Sequence, residues 1–347
     1  MLFSLPRWSV LALPTVAALL VSAGCGRPEA VPMPEPTTAA STGPARSVTP
    51  VPLAGATLFV DPNGAATEQV DAWASAGRTD DADRLRQVSE RPAAVWITSD
   101  TTQVSTAVDA VLSRATEAGQ MPVLVAYHIP GRDCGSFSGG GALDGDDYRA
   151  WIRGFAAGID GRPVTVIVEP DAVAHSLDRC AGSSDRLALL ADAVAVLKRT
   201  GTAQVYLDAG HPRWVRDLSR LSKALREAGV EQADGFALNV SNFIRTPENV
   251  EYGRQLSDAL GGRTRFVVDT SRNGAGPAGG ASIDGGPAWC NPPGRRLGTA
   301  PTTATGLDRV DALLWIKRPG ESDGACRPGE PPAGQWWSDY ALQLAGD

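Results

Sequence analysis

The chain has 347 residues, 43% of them hydrophobic and 20% charged, a balance that supports a full-sized core and excludes disorder over most of the length. Its formal net charge is -7 and its 32 Lys and Arg residues are scattered without forming a stripe, which argues against nucleic acid and suits a neutral polymer bound by stacking and hydrogen bonds. The length fits two small domains or one α/β barrel of about 250 residues, and the single barrel is favoured.

At the N-terminus, Arg7 precedes an apolar and small-residue run from Trp8 to Ala23 that ends in Ser22-Ala23-Gly24-Cys25. This predicts a secretion signal over residues 1–25. The run is short and meets a Pro-rich stretch, which disfavours a membrane-spanning helix. The small residues before Cys25 resemble a bacterial lipoprotein processing site, although Ser22 stands where such sites usually carry Leu. Lipidation of Cys25, with a membrane tether, therefore stands beside cleavage by an ordinary signal peptidase. Either route predicts an exported protein, secreted or held at the cell surface.

Residues 26–52 are rich in Pro, Thr, Ser and Ala and predict a flexible tether, with the folded domain spanning residues 53–347. Apart from Cys25, the cysteines are Cys134, Cys180, Cys290 and Cys326. Four can form two bridges in an oxidising compartment. The expected pairs are Cys134 with Cys180 and Cys290 with Cys326, each tethering a loop near the candidate site; four free buried thiols are the alternative.

From Leu53 onward a pattern recurs, in which a short apolar, β-branched run ends in polar or Gly-rich residues and a helical pattern follows. The runs are AAVWITSD from Ala93, PVLVAYHIPGRD from Pro122, PVTVIVEPD from Pro163, AQVYLDAGH from Ala203, GFALNVSN from Gly235, RFVVDTSRNG from Arg265 and ALLWIKRPGESDG from Ala312. Amphipathic stretches such as 185–199 and 212–228 lie between them. Near-continuous apolar strands alternating with helices predict a parallel sheet covered on both faces. Seven of them predict an α/β fold, a distorted (β/α) barrel whose active-site cleft lies at the strand C-terminal ends. A doubly wound open sheet is the alternative, weakened by the absence of a Gly-rich phosphate loop after the first strand.

Asp133, Glu169, Asp171, Asp208, Asp269, Glu321 and Asp323 all fall at or just beyond these strand ends. A single acid there could be a helix N-cap. A cluster needs protonation, basic partners or a metal to relieve its repulsion. The three histidines, His128, His175 and His211, form no paired ligand spacing, and no calcium-loop pattern occurs, so neither metal nor cofactor is expected. Glycosidic hydrolysis needs one neutral carboxyl as general acid beside ionised partners, which matches the remaining option. Trp96, Tyr127, Trp289 and Trp315 lie in or near the same segments and could stack on pyranose rings, although Trp96 and Trp315 also fit a core. Trp289, in a Gly- and Pro-rich loop, reads as a ligand platform.

At these residues the sequence resembles glycoside hydrolase family 6, from about Leu53 to the C-terminus. The motifs are VAYHIPGRDCGSFSGGG from Val125, VEPDA from Val168, YLDAGH from Tyr206, NVSNF from Asn239, DTSRNG from Asp269, WCNPPGR from Trp289 and WIKRPGESDG from Trp315. The resemblance implies a distorted barrel of about seven strands and hydrolysis of β-1,4-glucosidic bonds with inversion. By motif, Asp171 corresponds to the general acid. Asp133 corresponds to a second aspartate that keeps Asp171 protonated and helps order water. Asp323 matches the proposed base, a disputed assignment, and Tyr127 the tyrosine that presses on the sugar at the cleavage position.

The same resemblance assigns sugar contacts to Lys317 and Glu321, platforms to Trp96, Trp289 and Trp315, and cleft positions to Ser136, His211 and Asn239, with Arg132 and Asp208 as supporting residues. Arg318 departs from the Pro or Gly usual in the family, Leu238 from a small or polar residue, and Val173 from Leu or Ile. The segment between Asn273 and Trp289 is short and made largely of Gly, Ala and Pro, which predicts an open cleft and endo action on a β-glucan. An exo-acting cellobiohydrolase and a non-catalytic glycan-binding lipoprotein are the alternatives. A monomer is expected.

Overall fold

The computed structural model describes residues 51–178 and 185–346. The expected signal, Cys25 and nearly all of the tether lie outside the described residues, as does Cys180 and with it the expected Cys134–Cys180 pair. Leu53, where the folded domain was expected to begin, is 1% exposed.

All seven apolar runs form strands: β1 (Val95–Ile97), β2 (Val123–Ala126), β3 (Val164–Val168), β4 (Ala203–Asp208), β5 (Gly235–Leu238), β6 (Arg265–Asp269) and, after a small hairpin of β7 (Ser282–Ile283) and β8 (Gly286–Pro287), β9 (Val310–Leu314). The seven larger strands pair in parallel in chain order, β1-β2-β3-β4-β5-β6-β9. No ladder joins the two edge strands. Instead Ala94 N–H donates to Trp315 O at 2.9 Å, and the Trp96 indole N–H donates to Ile316 O at 2.8 Å. The expected distorted barrel is therefore a curled sheet whose seam is held by isolated bonds.

Near-continuous hydrophobicity in the strands has a direct structural cause. Successive side chains point to opposite faces, and both faces are covered. Val123, Val125, Ile167, Tyr206, Ala237 and Val267 pack with Leu53 and Leu58 in one cluster, while Leu124, Val166, Val205, Phe236 and Phe266 pack in another with residues of the outer helices. Those helices include α3 (Val104–Glu117), α4 (Gly145–Ile159), α6 (Arg186–Lys198), α7 (Leu218–Glu227) and α8 (Thr246–Ala259). A third cluster joins α1 (Ala65–Ser75) and α2 (Thr79–Ser89) to the C-terminal α9 (Ser338–Ala345).

The amphipathic stretch 212–228 is helical only in its second half. The Asp217 carboxylate accepts from Arg220 N–H at 3.0 Å and caps α7 there, whereas Trp214 N–H and Val215 N–H close a turn onto His211 O. Capping by Asp217 outcompetes the apolar periodicity upstream of it.

Candidate active site

The strand ends open on a cleft of about 1010 Å³ lined by Trp96, Tyr127, Arg132, Asp133, Ser136, Asp171, His211, Trp289, Lys317, Glu321 and Asp323. Residues from distant strands thus converge, as the parallel topology requires. Backbone strain marks the same end: Asp133, Glu169, Asp171, Asn239 and Ser241 all have φ between 46° and 70°, a left-handed conformation that costs a non-glycine residue about 1–2 kcal/mol.

Asp171 follows β3 and occupies the N-cap position of α5 (Ala172–Leu177), yet its side chain makes no capping bond. Its carboxyl instead borders the cleft. The N-terminus of so short a helix would favour the anion by about 0.3–1 kcal/mol. Opposing it, burial and then the charges of Asp208, Asp133 and Asp323, in that order, push the Asp171 carboxyl well above the usual range. The upward terms win, and Asp171 holds its proton. Asp133 was expected as the principal companion; Asp208 ranks ahead of it because it ends β4 directly beside β3 and accepts from Asp171 N–H, whereas Asp133 lies out in the loop after β2.

Asp208 is 1% exposed. One of its oxygens, Oδ2, accepts from Asp171 N–H at 2.8 Å and Gly210 N–H at 3.3 Å, while Oδ1 is buried with no partner. Burial, aided by Asp269, raises its carboxyl to about 7 against these backbone donors. It stands behind the cleft rather than in it.

Asp133 begins a 3-10 turn, Asp133–Gly135, in a loop folded tightly enough that a Cβ on Gly141 would lie 2.0 Å from Ile129 O. The carboxylate of Asp133 accepts from Ser138 N–H at 2.8 Å and from Ser138 Oγ–H at 2.9 Å. Ser138 Oγ is also 3.2 Å from the Tyr127 hydroxyl. Arg132 covers the Tyr127 ring at 4.8 Å and donates to Tyr127 O and Ser138 O. Upstream, Glu169 fixes the loop by accepting from His128 N–H and Ile129 N–H.

On the opposite wall, Asp323 forms a two-point ion pair with Arg272, both contacts at 2.9 Å, and Lys317 Nζ stands 3.7 Å away. Arg272 is fully buried and also lies 4.4 Å over the Phe243 ring. Desolvation lowers the Lys317 ammonium, with Asp323 and Glu321 opposing. Arg318, the residue that departs from the family motif, pairs with Glu321 at 2.7 Å. Cys290 and Cys326 form the expected disulfide, Cα atoms 6.4 Å apart, tying the Trp289 loop to the loop after Asp323.

Two expected cleft residues are not in the cleft. Trp315 is 3% exposed and its indole N–H donates to Thr299 O at 3.0 Å; it is a core residue because the residue directly after β9 still faces the packed interior. Asn239 is fully buried, donating to Asp269 O and accepting from Ile244 N–H; it satisfies backbone groups of a left-handed turn. Trp289, by contrast, is 47% exposed, with Phe137 against its edge at 6.0 Å. Trp96 is half-buried and meets Tyr127 edge-on at 5.0 Å.

Three residues of the site carry no signal in the sequence: Ser138 and Trp214 in the cleft, and the buried Arg272 behind it. Ser138 lies two positions beyond Ser136 in the same quoted string, Arg272 lies inside DTSRNG, and Trp214 follows His211 by three residues. Their types carried no distinctive charge pattern; only the fold brings them to Asp133, Asp323 and the far end of the cleft.

The profile described as Glycosyl hydrolases family 6 matches residues 53–347. Endoglucanase A of Cellulomonas fimi is 44% identical over 298 residues, covering 85% of this chain and 62% of that protein. Endoglucanase 1 of Streptomyces halstedii is 39% identical over 313 residues, covering 88% and 93% respectively. The chain therefore spans less than two thirds of the first relative's length and nearly all of the second's. Among solved structures, the endoglucanase Cel6 from Mycobacterium tuberculosis, in complex with methyl-cellobiosyl-4-deoxy-4-thio-β-D-cellobioside, matches with a TM-score of 0.77 at 44% identity, over 84% of this chain and 97% of that one.

Proposed function

The chain belongs to glycosyl hydrolases family 6, and from that premise we propose that it hydrolyses internal β-1,4-glucosidic bonds of cellulose or a related β-glucan, inverting the anomeric configuration, with Asp171 as the general acid. The observation that carries this is the half-buried Asp171 at the edge of a cleft, its carboxyl pushed well above the usual range by desolvation and by Asp208, Asp133 and Asp323.

Protonation of the glycosidic oxygen lets the leaving sugar depart as an alcohol, and positive charge then develops on the ring. Asp171 supplies the proton. Negative charge on Asp133 stabilises the developing cation, and the Ser138 hydroxyl joined to it is placed to hold the attacking water. Tyr127, anchored under Arg132, presses on the sugar at the cleavage position. Asp323, ion-paired with Arg272 and close to Lys317, serves as the base or as the charge that orients one. Trp96 and Trp289 act as stacking platforms, and Lys317, Glu321, Ser136 and His211 as hydroxyl partners. Burial holds His211 down to about 4, so it meets sugar hydroxyls as a neutral imidazole near pH 7.

Endo action is supported by the endoglucanase names of relatives at 39% and 44% identity and by the small residues Pro277, Ala278, Gly280 and Ala281 on the cleft wall. We propose export through the N-terminal segment, with Cys25 as a lipid attachment point, and action as a monomer; the Cys290–Cys326 bridge supports an oxidising compartment.

The test is reducing-sugar release from barley β-glucan together with the viscosity of carboxymethyl cellulose. Wild type should release sugar and drop viscosity early, and Asp171→Asn should lose about 10²–10⁴-fold in kcat. Equal, background-level release from both proteins would favour a glycan-binding module, and slow viscosity loss with steady sugar release would favour cutting from chain ends.

A further inference from the structure

Asn291 lies one residue beyond the disulfide cysteine Cys290 and two beyond the exposed Trp289. It is 4% exposed and held at φ 41°. Its side-chain oxygen accepts from Asp323 N–H at 2.7 Å, and its own backbone N–H donates to Asp323 Oδ2 at 3.0 Å. Its side-chain nitrogen donates to Gly324 O at 2.8 Å, Glu330 Oε2 at 3.0 Å and Ser322 Oγ at 3.2 Å. One buried amide thus reads the backbone or side chain of residues 322, 323 and 324 at once.

The surroundings are built around this contact. Glu330 Oε2 also accepts from Cys326 N–H and Arg327 N–H. The Arg327 guanidinium donates to Ile283 O, Pro287 O and Cys290 O, gathering the β7–β8 hairpin into the same unit. Glu330 and Arg327 anchor the periphery and make no contact with Asp323; Asn291 does. With one donor and four acceptors converging on it in a buried position, it helps fix both the height of Asp323 and the direction of its carboxylate.

We propose that Asn291 is a positioning residue for the reaction, holding the Asp323 carboxylate in fixed register with a sugar stacked on Trp289. This rests on the glucan-hydrolase reading above. Because Trp289 and Asn291 flank one disulfide-bonded residue, movement of the platform and of Asp323 is shared, and substrate binding and charge placement stay aligned. Misplacement of a reacting group by about 1 Å costs on the order of 10²-fold in rate, so the loss of Asn291 should be read in kcat.

The experiment compares Asn291→Gly, Glu330→Ala and Asp171→Asn on barley β-glucan and on a 2,4-dinitrophenyl β-cellotrioside, whose leaving group needs no proton. Glycine suits the left-handed φ, so the substitution removes the amide without adding backbone strain. Asn291→Gly should lower kcat about 10²-fold on both substrates while KM stays within about threefold. Glu330→Ala leaves Asn291 its bonds to Asp323 N–H, Gly324 O and Ser322 Oγ, so it should lower Tm about as much as Asn291→Gly does yet keep kcat within about twofold of wild type. If Asn291→Gly gives no folded transition, Asn291→Ser, which stays neutral and keeps a hydroxyl in place of the amide, takes its place with a smaller kcat loss expected.

A kcat for Asn291→Gly within about twofold of wild type, or one lowered no more than that of Glu330→Ala, would overturn the inference. Asp171→Asn keeps the two levels apart. A loss selective for the glucan supports the acid assignment whatever Asn291 shows, and an equal loss on both substrates removes that assignment and the present inference with it.

Discussion

The backbone N–H of Asp171 donates to Oδ2 of Asp208 at 2.8 Å. The proposed acid and Asp208 are thus joined by a main-chain to side-chain bond, which holds the Asp208 carboxylate against the turn that carries Asp171. Asp208 does two things at once: it orients the left-handed turn that presents Asp171, and its charge raises the Asp171 carboxyl. The two effects are separable by mutation.

Asp208→Asn keeps an oxygen to accept from Asp171 N–H and Gly210 N–H but removes the charge. Asp171 then loses its proton at lower pH, so the alkaline limb of kcat/KM should move toward acid while the turn stays intact. Since the pair titrates together, the limb reports both groups. A pH–rate profile superimposable on wild type would contradict this coupling.

Stability should also depend on pH through the buried carboxyls. Burial raises Asp208 and Glu169 to about 7, whereas in an unfolded chain such groups titrate near roughly 4. The stability contributed by their neutral forms is complete below the unfolded value, shrinks as pH rises between the two, and is lost above the folded value. Thermal unfolding should therefore show Tm falling from pH 4 toward pH 7, with a shallower slope in Asp208→Asn. Parallel slopes in the two proteins would count against a protonated Asp208.

The two tryptophans expected to stack on sugar should separate in a kinetic comparison. Trp289→Ala should raise KM about 2- to 12-fold, the equivalent of ~0.5–1.5 kcal/mol of ring contact, with kcat near wild type. Trp315→Phe removes the indole donor from Thr299 O, which keeps the Thr270 hydroxyl at 2.7 Å, and should cost about 0.5–1.5 kcal/mol of stability with KM unchanged. Steady-state kinetics and chemical denaturation of both variants decide the assignment.

Removing the Cys290–Cys326 bridge frees a sequence separation of 36 residues. The paired Cys290→Ser, Cys326→Ser variant should lose about 2–4 kcal/mol of stability. Because the bridge joins the Trp289 and Asp323 loops, kcat should fall as well. Unchanged unfolding by denaturant in the variant would assign no constraint to it.

The sequence by itself determined the strand set, the parallel α/β architecture and the identity of the acidic ring. Strands covered on both faces must be apolar throughout, and the polar residue that ends each one must lie at the same end of a parallel sheet. Every one of the seven runs from Ala93 to Ala312 is a strand. Only the tertiary structure decided which neighbours act on which. Asp208 precedes Asp133 in raising Asp171, and Asn239 and Trp315 turn inward although their motifs matched. Arg272 and Asn291 reach Asp323 from elsewhere in the chain, while Ser138 turns back onto Asp133 within one loop. Burial and Coulomb interaction depend on distance through space, and the loops at 133–141, 272–291 and 318–330 meet only after the sheet has curled, so their pairings are written in the fold and not in local sequence.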